Sequence, residues 1–270
     1  MTPYRVYLRW PRVSYRAWKV WMRNRDVYMQ TYKSNFVPPL LEPILFLVAL
    51  GFTLGRFVQL GAYASYAAFI APAIVATAVM NVSMFECMFA SFVRMYYQRT
   101  FEAIIATPLS VEDVIAGEIL WGATKAMIFA GIMYSVILLM QLVTGITLLT
   151  SPLSILIVPF SFLAGLLLSG IAMCFTAKTS QIDGFNFPIF LFITPMFLFT
   201  GTFFQLSALP WQVQGLALAV LPLTHIVIIM RELMLGTIAM DALWSLLWII
   251  PVTIFVWTLS INMMKKRLIV

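Results

Sequence analysis

The stretch YAAFIAPAIVATAVMNVSMFECMFASF, residues 66–92, decides the fold because it is a long apolar run with one charged residue, Glu86. An α-helix rises about 1.5 Å per residue, so roughly twenty apolar residues cross a hydrocarbon core of ~30 Å. The whole chain of 270 residues has this character, since 62% of it is hydrophobic, 10% is charged and the mean hydropathy is +0.96. Lipid-exposed backbone must satisfy its own hydrogen bonds, and barrel-type alternation is absent. We therefore predict an all-α polytopic membrane protein.

Working outward from this run, apolar segments of spanning length predict six transmembrane helices. We expect them at residues 36–57, 65–93, 117–143, 153–175, 184–204 and 242–264. An even number of crossings places both termini on one side, and the short-loop excess of Lys and Arg places that side in the cytoplasm. Lys125, near the start of the third span, is expected to extend to the same interface. The basic residues assigned to the terminal side are Arg5, Arg9, Arg12, Arg16, Lys19, Arg23, Arg25, Lys33, Arg94, Arg99, Lys178, Lys265, Lys266 and Arg267, against Arg56 and Arg231 on the other.

The N-terminal segment, residues 1–35, mixes basic side chains with tryptophan and tyrosine. Val13, Ala17, Val20 and Trp21 fall at helical spacing, which predicts an amphipathic helix lying on the inner leaflet. A basic aromatic surface can also bind nucleic acid. The span after this segment tethers it to lipid, so membrane lipids rather than nucleic acid are its expected contact.

Between the fifth and sixth spans, residues 205–241 are apolar but interrupted by proline and glycine. Pro210 and Pro222 open two pieces, 210–221 and 223–235, that are each too short to cross. We predict two half-helices that re-enter the outer leaflet, with a seventh and an eighth crossing as the alternative. His225, Arg231 and Glu232 lie in this region, and the two charged residues are expected to meet a second copy of the chain or lipid headgroups.

The loop after the second span contains a short helix, a proline and a second helix start. Phe101, Ile104 and Ile105 share one helical face, and Pro108 disfavours helix at the residue before it. Ser110 then precedes Asp113 by three residues, which is the capping-box pattern at the start of the third span. We predict a stiff knob with an exposed apolar face that a soluble partner can grip. A plain connecting helix on the membrane surface is the alternative.

Polar and aromatic residues within the spans are candidates for a substrate path. Glu86 and Asn81 share the second span, where Glu86 could line the path or could be a paired structural residue. On the fifth span, aromatic rings and hydroxyls suit an amphiphile, although such residues also pack against lipid. Gly201 could allow close approach at a dimer seam. The path candidates are Asn81, Glu86, Phe197, Thr200, Phe203 and Phe204.

The sequence lacks the residues needed for a disulfide framework, for a zinc site and for ATP hydrolysis. Two cysteines and one histidine cannot assemble a disulfide framework or a zinc set, so we predict no metal site. No lysine follows a glycine, so a phosphate-binding loop of the Gly-Lys-Ser/Thr type cannot form. Any ATP hydrolysis must belong to another polypeptide. A membrane-embedded lipid-modifying enzyme and a channel or secondary transporter are the alternatives from other classes.

The sequence also carries a family resemblance. FVRMYYQRTFEAIIATPLSVEDVIAGEILWG (92–122), LEPILFLVALGFTLG (41–55) and FPIFLFITPMFLFTGTFFQLSALPWQVQGLALAVLPLTH (187–225) resemble ABC-2 type exporter permeases of the NodJ-like branch, which exports lipo-oligosaccharides. The stretch at residues 66–92 is similar in the same way. The resemblance implies a transmembrane domain over 36–270 and a coupling helix at about 97–108 that docks on a cytosolic ATPase. Its expected docking residues are Gln98, Phe101, Glu102, Ile104, Ile105, Thr107 and Pro108.

The resemblance further implies the assembly. We expect two copies of a NodI-like ATPase subunit that use ATP and Mg, a homodimer of this permease, and a location in the bacterial inner membrane. The chain itself would bind no cofactor and would catalyse no reaction. Drug or antibiotic efflux, found in the same superfamily, is the alternative for the cargo.

Overall fold

The computed structural model describes residues 9–31, 41, 44–53, 55, 57, 65–237 and 239–269, and every regular element in them is helical. A π-helical turn covers Leu47–Thr53. A 3₁₀ turn covers Leu206–Ala208. The helices labelled in the described residues are α1 (Ala17–Gln30), α2 (Tyr66–Tyr97), α3 (Thr100–Ile105), α4 (Val111–Thr144), α5 (Pro152–Lys178), α6 (Ile182–Phe199), α7 (Trp211–Val220), α8 (Pro222–Leu235) and α9 (Met240–Ile269).

Five of these helices, α2, α4, α5, α6 and α9, are long and apolar enough to cross a membrane. They correspond to the second to sixth predicted spans, so the all-α polytopic fold is confirmed. The first predicted span, 36–57, lies partly outside the described residues. Two observed helix boundaries differ from the predicted span boundaries: α2 continues to Tyr97, and α4 already begins at Val111. Helix therefore extends beyond the apolar runs, and charged residues assigned to loops belong to spans.

The two half-helices between α6 and α9 are observed where proline and glycine predicted them. α7 has 10 residues and α8 has 14, and the two are bent by 93°. Pro210 is the N-cap of α7, Pro222 opens α8, and Gly236 ends α8 with a φ of 74°. Neither half can cross a bilayer alone at about 1.5 Å per residue. The geometry fits a re-entrant pair better than two added crossings.

The long helices approach one another closely through small residues. A Cβ built on Gly165 of α5 would lie 2.8 Å from the Ala123 Cα of α4, and one on Gly122 would collide with Ser169 Oγ. A Cβ on Gly117 would meet Val20 of α1 at 2.6 Å. Such contacts draw backbones together where lipid gives no hydrophobic advantage to burial. Glycine is therefore required at these crossings.

The N-terminal helix packs on protein rather than standing apart from it. Ala17, Val20, Asn24 and Tyr28 form its buried face, and Trp21 Nε1 donates to Thr124 Oγ1 of α4 at 2.9 Å. The expectation that the apolar face of this helix rests on lipid is wrong for Ala17 and Val20. They serve the protein interface because α4 presents a glycine groove there.

The first and the last described segments of the chain meet at one end of the bundle, which we call the terminal end. The Ser14 backbone N–H donates to Asp113 Oδ1 at 2.6 Å, and Asn262 Nδ2 donates to the Arg9 carbonyl at 2.8 Å. Lys265 forms an ion pair with Glu112. The loop between α2 and α4 lies at this same end, as an even number of crossings requires.

Replacing glycine by alanine should destabilise the protein at a close helix crossing but not at a position with space for the added methyl group. Gly165→Ala forces a methyl against the α4 backbone, and overpacking of this kind costs about 1–3 kcal/mol, so its thermal unfolding midpoint in detergent should fall. Gly131→Ala is the matched control, since the nearest atom to its Cβ is 3.8 Å away. Equal midpoints for the two variants would contradict the packing described here.

Candidate functional site

A buried cluster of charges lies near the terminal end, where α2 meets α4. Arg94 donates to Glu118 Oε2 through Nη2 at 2.6 Å and through Nε at 3.0 Å. The same Nη2 donates to Glu86 Oε1 at 2.9 Å. The Glu118 side chain is fully buried and that of Glu86 is 6% exposed. One guanidinium therefore joins a carboxylate on its own helix to one on the next.

Further polar groups complete this charge cluster. Lys125 Nζ donates to Glu86 Oε2 at 2.8 Å and lies 5.4 Å from the centre of the Tyr28 ring. Asn24 Nδ2 of α1 donates to Glu118 Oε1 at 2.8 Å, and Ser91 Oγ donates to Glu118 Oε2 at 2.6 Å. The two carboxylates thus receive donors from α1, α2 and α4. Buried charges of this kind are tolerated because they are paired and hydrogen-bonded.

The backbone of α2 is irregular at the same place. Its α-helical part, Tyr66–Phe85, gives way to π-helical turns at Glu86–Ala90 and Val93–Tyr97. A π turn inserts one residue into the helix and reorients the side chains beyond it, and such turns are frequent at functional sites. Here the turns contain Glu86 and Arg94.

Sequence reasoning finds only part of this cluster. From the sequence, Glu86 could either line the substrate path or be a structural residue held in an ion pair. Its two observed ion pairs support the structural interpretation. The expectations that Lys125 extends to the interface and that Arg94 lies in a loop are both wrong, because each side chain pairs inside the bundle. Glu118 is not singled out by the sequence for a site. Its position seven residues before Lys125, on the same face of an apolar helix, is the signal that could have found it.

The predicted knob is present, with tighter anchoring than expected. α3 follows Arg99, whose φ of 50° is a left-handed conformation that interrupts the helix after α2. The capping box is confirmed, since Asp113 N–H donates to Ser110 Oγ at 3.1 Å and Ser110 N–H donates to Asp113 Oδ2 at 3.1 Å. The Arg16 guanidinium donates to the Pro108 carbonyl. The knob is therefore held from α2, α4 and the N-terminal segment.

The expected exposed apolar face of the knob is not observed. Phe101 is fully buried in the core, and Ile104 and Ile105 are half-buried against it. The apolar face turns inward because burial there removes it from water. Within residues 97–108 the surface left outside has one large ring, that of Tyr97, and is otherwise polar or small. It consists of Tyr97, Gln98, Arg99, Glu102, Ala103, Ala106, Thr107 and Pro108.

Three of the path candidates come together between α2 and α6. Asn81, Phe197 and Phe203 line a cavity of about 30 Å³, and the two phenylalanine rings pack edge to face with centroids 4.9 Å apart. Thr200 Oγ1 is buried and lies 3.0 Å from Thr202 Oγ1, and Phe204 is half-buried. This volume suits about one water molecule. Glu86 is not among the residues that line it.

Other predicted positions have partners within the chain. Gly201 is buried with a φ of 77°, a conformation that favours glycine. The local backbone conformation is therefore sufficient to explain why this residue is glycine. Arg231, which the sequence predicts to meet a second copy or lipid, has partners within the chain: Nη2 donates to the Gly201 carbonyl at 2.9 Å and the guanidinium lies 4.0 Å from the centre of the Phe69 ring. Glu232 Oε2 accepts from the Ala239 N–H at 2.7 Å.

His225 is likewise engaged inside the re-entrant region. Its Nδ1 lies 3.1 Å from Ser245 Oγ and its Nε2 lies 2.8 Å from the Leu218 carbonyl, and the ring stacks on Trp248 at 4.4 Å. Both ring nitrogens thus have local partners. The histidine joins α7, α8 and α9.

Comparison with known proteins agrees with this architecture. The family model described as ABC-2 type transporter matches residues 15–235. The chain belongs to the ABC-2 type transporter family. It is 36% identical to Nodulation protein J of Rhizobium meliloti (strain 1021) over 81% of this chain and 80% of that protein, and 34% identical to Nodulation protein J of Rhizobium leguminosarum bv. trifolii over 93% of each.

A more distant relative is named as a transport permease. Inner membrane transport permease YadH of Escherichia coli (strain K12) is 26% identical over 73% of this chain and 75% of that protein. No solved structure matches the chain. The ABC-2 family member described here is a multi-pass transporter permease of the branch that includes Nodulation protein J, and the family implies a partnering ATPase subunit.

Removing the shared guanidinium should be more damaging than removing an exposed one. Arg94→Gln leaves Glu118 buried without a cation, and breaking a buried pair costs about 3–5 kcal/mol. We expect a strongly lowered unfolding midpoint in detergent, partly restored in Arg94→Gln/Glu118→Gln. Arg25→Gln, which removes an exposed pair with Asp26, serves as the control. An Arg94→Gln midpoint equal to that of Arg25→Gln would show that the cluster is not structural.

Proposed function

We propose that this chain is the permease subunit of an ATP-driven exporter that moves an amphiphilic, lipid-linked or oligosaccharide-bearing substrate across the bacterial inner membrane. A separate cytosolic ATPase of the NodI type, in two copies, would supply the energy and bind ATP and Mg. Two copies of the permease would form the path. The relatives named Nodulation protein J support the branch, and the substrate class follows from the resemblance to that branch.

The observation that carries the proposal is the position of the knob. α3 projects its small and polar surface from the terminal end, between two spans that it joins directly. Gln98, Glu102 and Thr107 are exposed there, and a groove on a soluble partner can engage such a helix. Phe101, Ile104 and Ile105 support it from beneath, so their role is to anchor the docking surface.

Force on this surface has a direct route into the membrane. The left-handed residue Arg99 links α3 to α2, the capping box at Ser110 links it to α4, and the charge cluster joins α2 to α4. Displacement of the knob would therefore move α2 and α4 together as a rigid body. Spans on the far side of the cavity, α6 among them, would then separate from α2.

The cavity between α2 and α6 is the proposed start of the substrate path. Phe197 and Phe203 offer aromatic area, and Asn81 offers an amide. Its volume of about 30 Å³ corresponds to a closed path, which separation of α2 from α6 would widen. Such a path suits an amphiphile because rings contact apolar parts while amides and hydroxyls bind sugars.

The orientation follows from charge. The terminal end carries the N-terminal basic helix and Lys265, Lys266 and Arg267, and an excess of this kind is retained in the cytoplasm. The knob lies at the same end, where a cytosolic ATPase could reach it. We therefore propose the inner membrane with both termini inside.

Two charge reversals test the docking surface. Glu102→Arg changes an exposed residue in the first turn of α3, so the chain should fold normally, whereas co-purification of the ATPase and stimulated ATP hydrolysis should fall at least fivefold. Asp241→Arg is the matched control, since it reverses an exposed carboxylate in the first turn of α9 at the opposite end. Unchanged hydrolysis in Glu102→Arg, or an equal loss in both variants, would count against docking at α3.

A further inference from the structure

A cleft separates α1 from the last turns of α2. It shares Asn24 and Arg94 with the charge cluster and Gln98 with the docking surface, whereas Arg23, Val27 and Phe89 have no part in the proposed export mechanism. Its volume is about 360 Å³. Arg23, Asn24 and Val27 of α1 form one wall, and Phe89, Val93 and Arg94 of α2 form the other. The cleft thus places two guanidinium groups beside apolar side chains.

The charges around this cleft do not balance. Glu86 and Glu118 are the carboxylates of the charge cluster, and Arg94 and Lys125 pair with them. Arg23 adds a third cation on the open side, where its Nη1 donates to Asn24 Oδ1 at 3.0 Å. Among the described residues Arg23 has no carboxylate within ion-pair distance, so no direct ion pair neutralises the positive charge that it brings to the cleft.

The environment of Arg23 agrees with this charge imbalance. Partial burial is the main cause that lowers the pKa of its guanidinium, Glu118 raises the pKa, and Arg94 lowers it further. An anion in the cleft would offset both the burial and the repulsion from Arg94. Arginine prefers phosphate and carboxylate oxygens as partners because its N–H groups match their geometry.

The cleft also has an apolar extension. Phe89 stacks on Phe85 at 5.5 Å, and Phe85 is 39% exposed one turn further from the terminal end. The outward surface of α1 carries Trp18 and Met29, 53% and 60% exposed. Exposed aromatic and basic residues on one helix are typical of the headgroup level of a bilayer. A ligand with an anionic head and an apolar tail fits both parts.

We propose that the cleft between α1 and α2 binds the phosphate headgroup of an anionic phospholipid, with Arg23 as its main contact and Phe85 and Phe89 along its acyl chain. The site is independent of the cargo that the permease carries. Its role is to hold α1 against the end of α2 through a lipid of the surrounding leaflet.

The test is lipid titration of the full chain purified in a neutral sugar detergent. Phosphatidylglycerol should raise the unfolding midpoint and bind saturably, whereas phosphatidylcholine should not. Arg23→Gln should weaken phosphatidylglycerol binding about tenfold. Lys19→Gln is the matched control, because it removes the same charge from an exposed position on the same helix, and it should stay within twofold of the parent.

A second variant guards against a folding defect in Arg23→Gln. Val27 is 48% exposed on the cleft wall, so Val27→Glu should fold while its carboxylate repels the headgroup. Parent-like phosphatidylglycerol affinity in both folded variants would overturn the proposal. Equal stabilisation by inorganic phosphate would replace the lipid with a free anion, and equal stabilisation by phosphatidylcholine would remove the charge requirement. Either result also overturns it.

Discussion

The arrangement depends on one guanidinium that two buried carboxylates share. Arg94 lies between Glu86 and Glu118, in a bundle where an unpaired charge would be prohibitively costly. Because the carboxylates belong to α2 and α4, the ion pairs fix the distance between these spans. Lys125 adds a second ion pair between these two spans, and Asn24 extends the constraint to α1. The terminal end is therefore a polar joint inside an otherwise apolar molecule.

This joint explains why the knob is embedded instead of projecting freely. The α3 helix has only six residues, and its phenylalanine is buried. A helix of that length has little stability alone, so it takes its rigidity from the spans on either side. Small residues such as Gly117 let α1 approach α4 closely enough to complete the support. Rigidity in the docking element is thus a product of packing and ion pairing together.

The sequence predicted the features that depend on local chemistry. Apolar length indicated the spans, Pro222 and Gly236 indicated the half-helices, and the Ser110–Asp113 spacing indicated the cap. The features that escaped prediction depend on which faces meet. Whether Phe101 points outward or inward, and whether Lys125 reaches an interface or Glu86, is decided by neighbouring helices that no spacing rule identifies. Docking residues and the substrate path remain predictions, now with defined surfaces.

Movement of the knob and the α2–α4 pair as one body, through the charge cluster, is the central claim. Spin labels at Ala106→Cys and Leu139→Cys, both exposed, would measure the distance from the knob to the far end of α4. Cys174 would be replaced by serine. With the ATPase partner bound, the account predicts one narrow distance that is the same with and without ATP, and a broad distribution in Arg94→Gln. A distance that changes with ATP in the parent chain, or stays narrow in Arg94→Gln, would contradict it.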